Sequence, residues 1–108
     1  MPKKLTPDEA VPTLLQERLM LWGKCIRAQR LSQRITAPEL AQRMNIARPT
    51  LHRMERGDPG TSATNYLRAF FVLGLLDELA PAPSAELWME PGIHRVVHQR
   101  SKADDDAF

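Results

Sequence analysis

One stretch of twenty residues constrains this chain more than any other: APELAQRMNIARPTLHRMER, residues 37 to 56. Its apolar side chains are Leu40, Met44, Ile46, Leu51 and Met54, with the small Ala41 beside Leu40. Asn45, a residue that tolerates a left-handed backbone, stands between the two halves. Two short helices that cross steeply must touch closely, so one contact position carries a methyl group or less. The turn between them needs one residue at positive φ. The window meets both conditions, which predicts a helix, a tight turn and a second helix over about Arg48 to Arg56.

Start and stop signals frame it. Thr36 with Glu39 three residues on forms a capping box, and Pro38 falls in the first turn, where its missing N–H costs nothing. Pro49 does the same for the second helix, and Gly57 stops it. Upstream, Leu15, Leu19, Trp22 and Ile26 recur at steps of four, three and four, one apolar stripe of a longer helix. Thr13 and Gln16 read as a capping box that opens this helix, with Arg18, Lys24, Arg27 and Arg30 on its other faces. Downstream, Gly57-Asp58-Pro59-Gly60 is turn chemistry, and Thr61 or Ser62 caps a largely apolar helix containing Tyr66, Leu67, Phe70, Phe71 and Leu73. Gly74 interrupts it before a short last helix over Leu75 to Leu79.

The expected architecture is all-α: five helices in one domain at residues 13–80. A flexible N-terminal arm (1–12) precedes it, and a partly disordered C-terminal extension (81–108) follows. Within the extension, 84–89 could form a helical turn, Ile93 to Val97 has strand-like β-branched content, and Asp104-Asp105-Asp106 reads as a loose acidic tail. At 108 residues and 43% apolar content the chain can bury a single core. The lone Cys25 cannot form an internal disulfide, and His52, His94 and His98 lack zinc-site spacing, so no metal or cofactor is expected. No signal peptide or membrane-spanning run is readable, which fits a cytoplasmic protein. Net charge is only +2, yet between Arg18 and Arg56 there are nine basic residues against two acidic ones, Glu39 and Glu55. A basic middle suits a polyanion partner. Capping and ion pairing account for the two carboxylates, and with no nucleophile–base pair or phosphate loop the sequence supports no enzyme.

IRAQR (26–30) and TAPELAQRMNIARPTLHRMERGDPGTS (36–62) resemble the Xre/Cro class of lambda-repressor-like helix-turn-helix regulators over about Trp22 to Leu79. The following TNYLRAFFVLGLLDELA resembles the last two helices of HipB-like regulators. The resemblance implies that the helix from Arg48 enters the major groove of an operator. Arg48, Pro49, Thr50, His52 and Arg53 would then meet base edges, with Arg48 suited to guanine. Thr36, Arg56, Thr61 and Ser62 would face phosphates. Two positions depart from the family pattern: Ala37 stands where many relatives carry Gln, and Ala47 where many carry a Ser or Thr cap, weakening that cap by about 1 kcal/mol. Three readings follow, the first two of one class. The first is a homodimeric repressor with a seam at Phe71, Leu75, Leu76, Leu79 and Trp88. The second is a toxin–antitoxin variant of it that binds a HipA-type kinase toxin. The third is a helical adaptor that binds only protein.

Overall fold

The computed structural model of the chain describes residues 11–91. Most of the expected arm (residues 1–10), the strand-like run 93–97, His94, His98 and the acidic segment 104–106 lie outside the described residues. Among the described residues five α-helices follow one another: α1 Thr13–Ser32, α2 Ala37–Met44, α3 Arg48–Glu55, α4 Ala63–Leu73 and α5 Leu76–Leu79. A single 3₁₀ turn, Ala85–Leu87, comes next, and the described residues contain no strand. The all-α expectation holds.

The expected capping box at Thr13 does not form. Pro12 is the N-cap, at φ −60° and ψ 151°, and Thr13 is already helical. The proline ring presets this φ, and its carbonyl accepts the first helical bond, from Gln16 N at 3.1 Å. The Gln16 side chain reaches past Thr13 and donates from Nε2 to the Val11 carbonyl, also at 3.1 Å. At α2 the box is complete: Thr36 Oγ1 accepts from Glu39 N, and Glu39 Oε1 accepts from Thr36 N.

Helices α1 to α4 all close with the same left-handed device, at Arg34 (φ 59°), Asn45 (58°), Gly57 (79°) and Gly74 (79°). In each, the next residue's N–H reaches back to a carbonyl five residues earlier: Ile35 to Arg30, Ile46 to Ala41, Asp58 to Arg53 and Leu75 to Phe70. Three of these residues are types that favour such a φ. Arg34 is not, and nothing in its neighbourhood of the sequence announces it.

Helix α1 packs on α3 and α4, α2 packs on the same two, and α5 rests on α4. Between them lie Ile26, Leu40, Met44, Leu51, Met54, Tyr66, Phe70 and Leu73, all essentially inaccessible. Trp22 closes one side, edge-on to Phe70 at 4.9 Å between ring centroids and tilted on Tyr66 at 5.8 Å. The α1 stripe is only partly core. Leu19 and Trp22 are half-buried and Ile26 is buried, but Leu15 is exposed. The reason is length: twenty residues of α1 span roughly 30 Å, well beyond the 8–11 residues of its neighbours. Arg30, expected on a solvated face, is in fact buried.

Two glycines let α1 lie against the end of α3. A Cβ on Gly23 would stand 2.6 Å from the carbonyl oxygens of both Met54 and Glu55. One on Gly57 would stand 2.6 Å from Met20 Cα. Both contacts are with backbone, which cannot rotate aside. Gly23→Ala therefore tests the crossing. Helix propensity alone would favour alanine by about 1 kcal/mol. Overpacking should outweigh it, giving a net loss of roughly 1–3 kcal/mol and a lower thermal midpoint. A raised midpoint would mean that the backbones do not meet here.

Candidate nucleic-acid interface

The candidate interface is built on α2, the turn Asn45-Ile46-Ala47, and α3. Leu40, Ala41 and Met44 fix the inner side of α2, while Leu51 and Met54 fix that of α3. With Leu51 and Met54 turned inward, helical geometry puts Pro49, His52, Arg53 and Arg56 on the outer side of α3 and Arg48 on its flank. All five are exposed. Thr50 lies on the opposite flank and is half-buried. The start of α3 has no side-chain cap, since Ala47 offers none, and Pro49 holds the first turn.

The remaining residue of α3, Glu55, decides the charge of this face. Its side chain is only 6% exposed and is gripped by Arg30 of α1, whose side chain is 7% exposed. Arg30 Nε donates to Oε2 at 2.7 Å and Nη2 to Oε1 at 3.2 Å, a two-pronged pairing. Arg30 Nη1 donates in turn to the Ile35 carbonyl at 3.1 Å, so every nitrogen of the guanidinium is engaged. Arg27 approaches the same carboxylate from the solvent side at 3.8 Å. The only acidic residue of α3 thus lies inside, neutralised, and the outer side carries arginines. Sequence reasoning paired Glu55 with an arginine but left Arg30 in solvent. The signal was present: Arg30 continues the Leu15, Leu19, Trp22, Ile26 stripe by one further step of four.

The turn after α3 is tied together by Asp58. Its Oδ1 accepts from Gly60 N at 2.8 Å, and its carbonyl accepts from the Tyr66 hydroxyl at 2.9 Å. Tyr66 is buried, and burial, followed by the nearby Asp58 charge, pushes its hydroxyl pKa up to about 12. Sequence reasoning took this loop as turn chemistry alone and missed Asp58 as its hub.

The phosphate-facing set divides. Arg56 and Ser62 are exposed, and Ser62 caps α4 by accepting from Asn65 N at 3.2 Å. The Thr36 and Thr61 amides already have protein acceptors, Glu39 Oε1 and the Asp58 carbonyl. Thr61 Oγ1 is enclosed and has no hydrogen-bond partner among the described residues. In the expected seam, Phe71 is 72% exposed and Trp88 64% exposed, while Leu76 and Leu79 are half-buried. Leu75 is a core residue, turned inward as Gly74 reverses the chain. No family model, curated protein or solved structure matches the chain.

Tyr66→Phe tests the anchoring of the loop. Near neutral pH the variant should be less stable by about 1 kcal/mol, the value of the bond to the Asp58 carbonyl. The folded-state pKa of Tyr66 lies above its unfolded value near 10, so its stabilisation is complete below pH 10 and is lost as pH rises towards 12. Urea titrations should accordingly show the gap between wild type and variant closing near pH 11. A gap that stays constant from pH 7 to 11 would contradict the burial of this hydroxyl.

Proposed function

We propose that this chain is a sequence-specific DNA-binding transcriptional regulator of the lambda-repressor-like helix-turn-helix kind. In this reading it is a homodimeric repressor whose α3 lies in the major groove of a palindromic operator. The observation that carries it is the character of α3: Arg48, Pro49, His52, Arg53 and Arg56 are exposed, while Glu55 is withdrawn into Arg30. An exposed helix with two arginines, a third at its C-cap and no outward carboxylate is suited to a groove walled by phosphates. A solvated face on an ordinary helical protein has no need to bury its carboxylate.

A monomer of this size covers too little DNA for tight specific binding, and two copies reading half-sites about 34–36 Å apart would remedy that. The exposed Phe71 and Trp88, with the half-buried Leu76 and Leu79, form the seam in this proposal. A second reading draws on the same end of the chain. Leu87 and Trp88 are both exposed on the 3₁₀ turn beyond Pro81 and Pro83. Two large apolar side chains in water favour a protein partner, and an antitoxin that seats them on a kinase-like toxin while repressing its own operon satisfies this. Co-purification with the product of an adjacent gene separates that reading from a plain repressor.

Gel-shift titration at two salt concentrations tests the main reading. A repressor loses affinity steeply as salt rises, whereas an adaptor that binds only protein shows no such dependence. With an operator selected from random duplexes, Arg48→Ala should weaken specific binding by roughly 1–3 kcal/mol and relax the choice at one base pair. Equal affinity of variant and wild type would remove Arg48 from base recognition.

A further inference from the structure

The cations on the outer face of α3 are not equivalent. The side chains of Arg48, His52 and Arg56 make no hydrogen bond or ion pair among the described residues. Arg53 makes two contacts, both along the Nε–Nη2 edge of its guanidinium. Nη2 donates to Thr50 Oγ1 at 3.2 Å, and Nε lies 3.6 Å from Asp58 Oδ2. Both neighbours are themselves held. Thr50 is half-buried on its helix. Asp58 is fixed through its amide on the Arg53 carbonyl (3.0 Å), its carbonyl under the buried Tyr66 hydroxyl, and its Oδ1 on Gly60 N. Nη1 has no acceptor among the described residues, and the Arg53 side chain remains 47% exposed.

A pair this exposed contributes little to stability. A carboxylate beside a face that binds phosphates should also weaken attraction to any duplex. The turn needs an acceptor for Gly60 N, which an asparagine would also supply, so it is the charge that calls for another reason. An arginine free in solution loses rotamer entropy when it docks on a base, and one already held does not. With the Nε–Nη2 edge turned to Asp58 and Thr50, the second Nη2 hydrogen and the neighbouring Nη1 hydrogen can donate two parallel hydrogen bonds, the pattern that guanine N7 and O6 accept.

We infer that Asp58 is a positioning residue: with Thr50 it holds Arg53 as a preset two-donor reader of one guanine, at the expense of general affinity for DNA. The inference rests on the DNA-binding reading and adds to it which cation carries selectivity and what orients it. Asp58→Asn keeps an acceptor for Gly60 N and removes the charge. The variant should bind an unrelated duplex as tightly as wild type or about twofold more tightly, because a negative charge near the phosphates is gone. Against a panel of operators altered one base pair at a time, it should lose about tenfold in discrimination at a single position. That position must be the one at which Arg53→Ala also loses discrimination. Thr50→Val, which removes the other clamp while preserving shape, should lose selectivity at the same position.

A merely structural role for Asp58 would lower the thermal midpoint and weaken binding to every duplex together, and that result overturns the inference. So does full discrimination by Asp58→Asn at the Arg53-dependent base pair, or an Arg53→Ala variant with no position-specific loss. Should Asp58→Asn fail to fold, Thr50→Val decides alone by the same criterion. Wild-type protein with no salt-dependent DNA affinity would sink the DNA-binding reading itself, a result distinct from all of these.

Discussion

Everything on the outer side of α3 depends on one buried ion pair. Two charges taken out of water cost several kcal/mol each, and mutual attraction repays this only when the geometry is good and the remaining donors are satisfied. Arg30 and Glu55 meet both conditions, with two nitrogen–oxygen contacts to the carboxylate and the third nitrogen on the Ile35 carbonyl. The pair needs α1 and α3 close together. Gly23 supplies that closeness, since any larger residue would meet the Met54 and Glu55 carbonyls. It also ties the last turn of α3 to the loop after α1 through Ile35. Together with the inward Leu51 and Met54, this pair fixes how α3 lies on the domain and the sign of the charge it presents.

The loop that follows extends the same frame. Gly57 reverses the chain directly over α1, and Asp58 receives the buried Tyr66 hydroxyl on its carbonyl. From there α4 starts with Ser62 as its cap and brings Tyr66 and Phe70 under Trp22. The outer face of α3 and the core are therefore not separate features. Asp58, which lies against the Arg53 guanidinium, hangs from a tyrosine in the middle of the hydrophobic cluster.

Much of this was legible in the sequence, for local reasons. Thr36 with Glu39, Asn45, Gly57 and Gly74 each specify a helix end through their own backbone or side-chain chemistry, with little help from the rest of the chain. The inward turn of Leu51 and Met54 follows from helical periodicity. What was not legible depends on neighbours distant in sequence. Arg30 looks like any solvated arginine until Glu55, twenty-five positions away, is placed beside it. Leu15 looks like core until the lengths of the facing helices are known. Arg34 takes a left-handed conformation that its side chain does not favour, so tertiary packing overrides preference there. In the candidate site, the exposed cations were foreseen. The occupied amides of Thr36 and Thr61, the inward Leu75 and the hub at Asp58 were not, because each is a matter of partners and not of residue type.

The central claim is that α3, held by Arg30 and Glu55, is the surface that meets DNA. Backbone amide chemical shifts during titration with a selected operator test it most directly. The account predicts that the largest changes fall on residues 48–56 and the turn before them, with the amides of Gly23 and Ile26 behind the helix nearly still. Changes confined to the exposed part of α1 or to α4 and α5, with α3 unmoved, would contradict it.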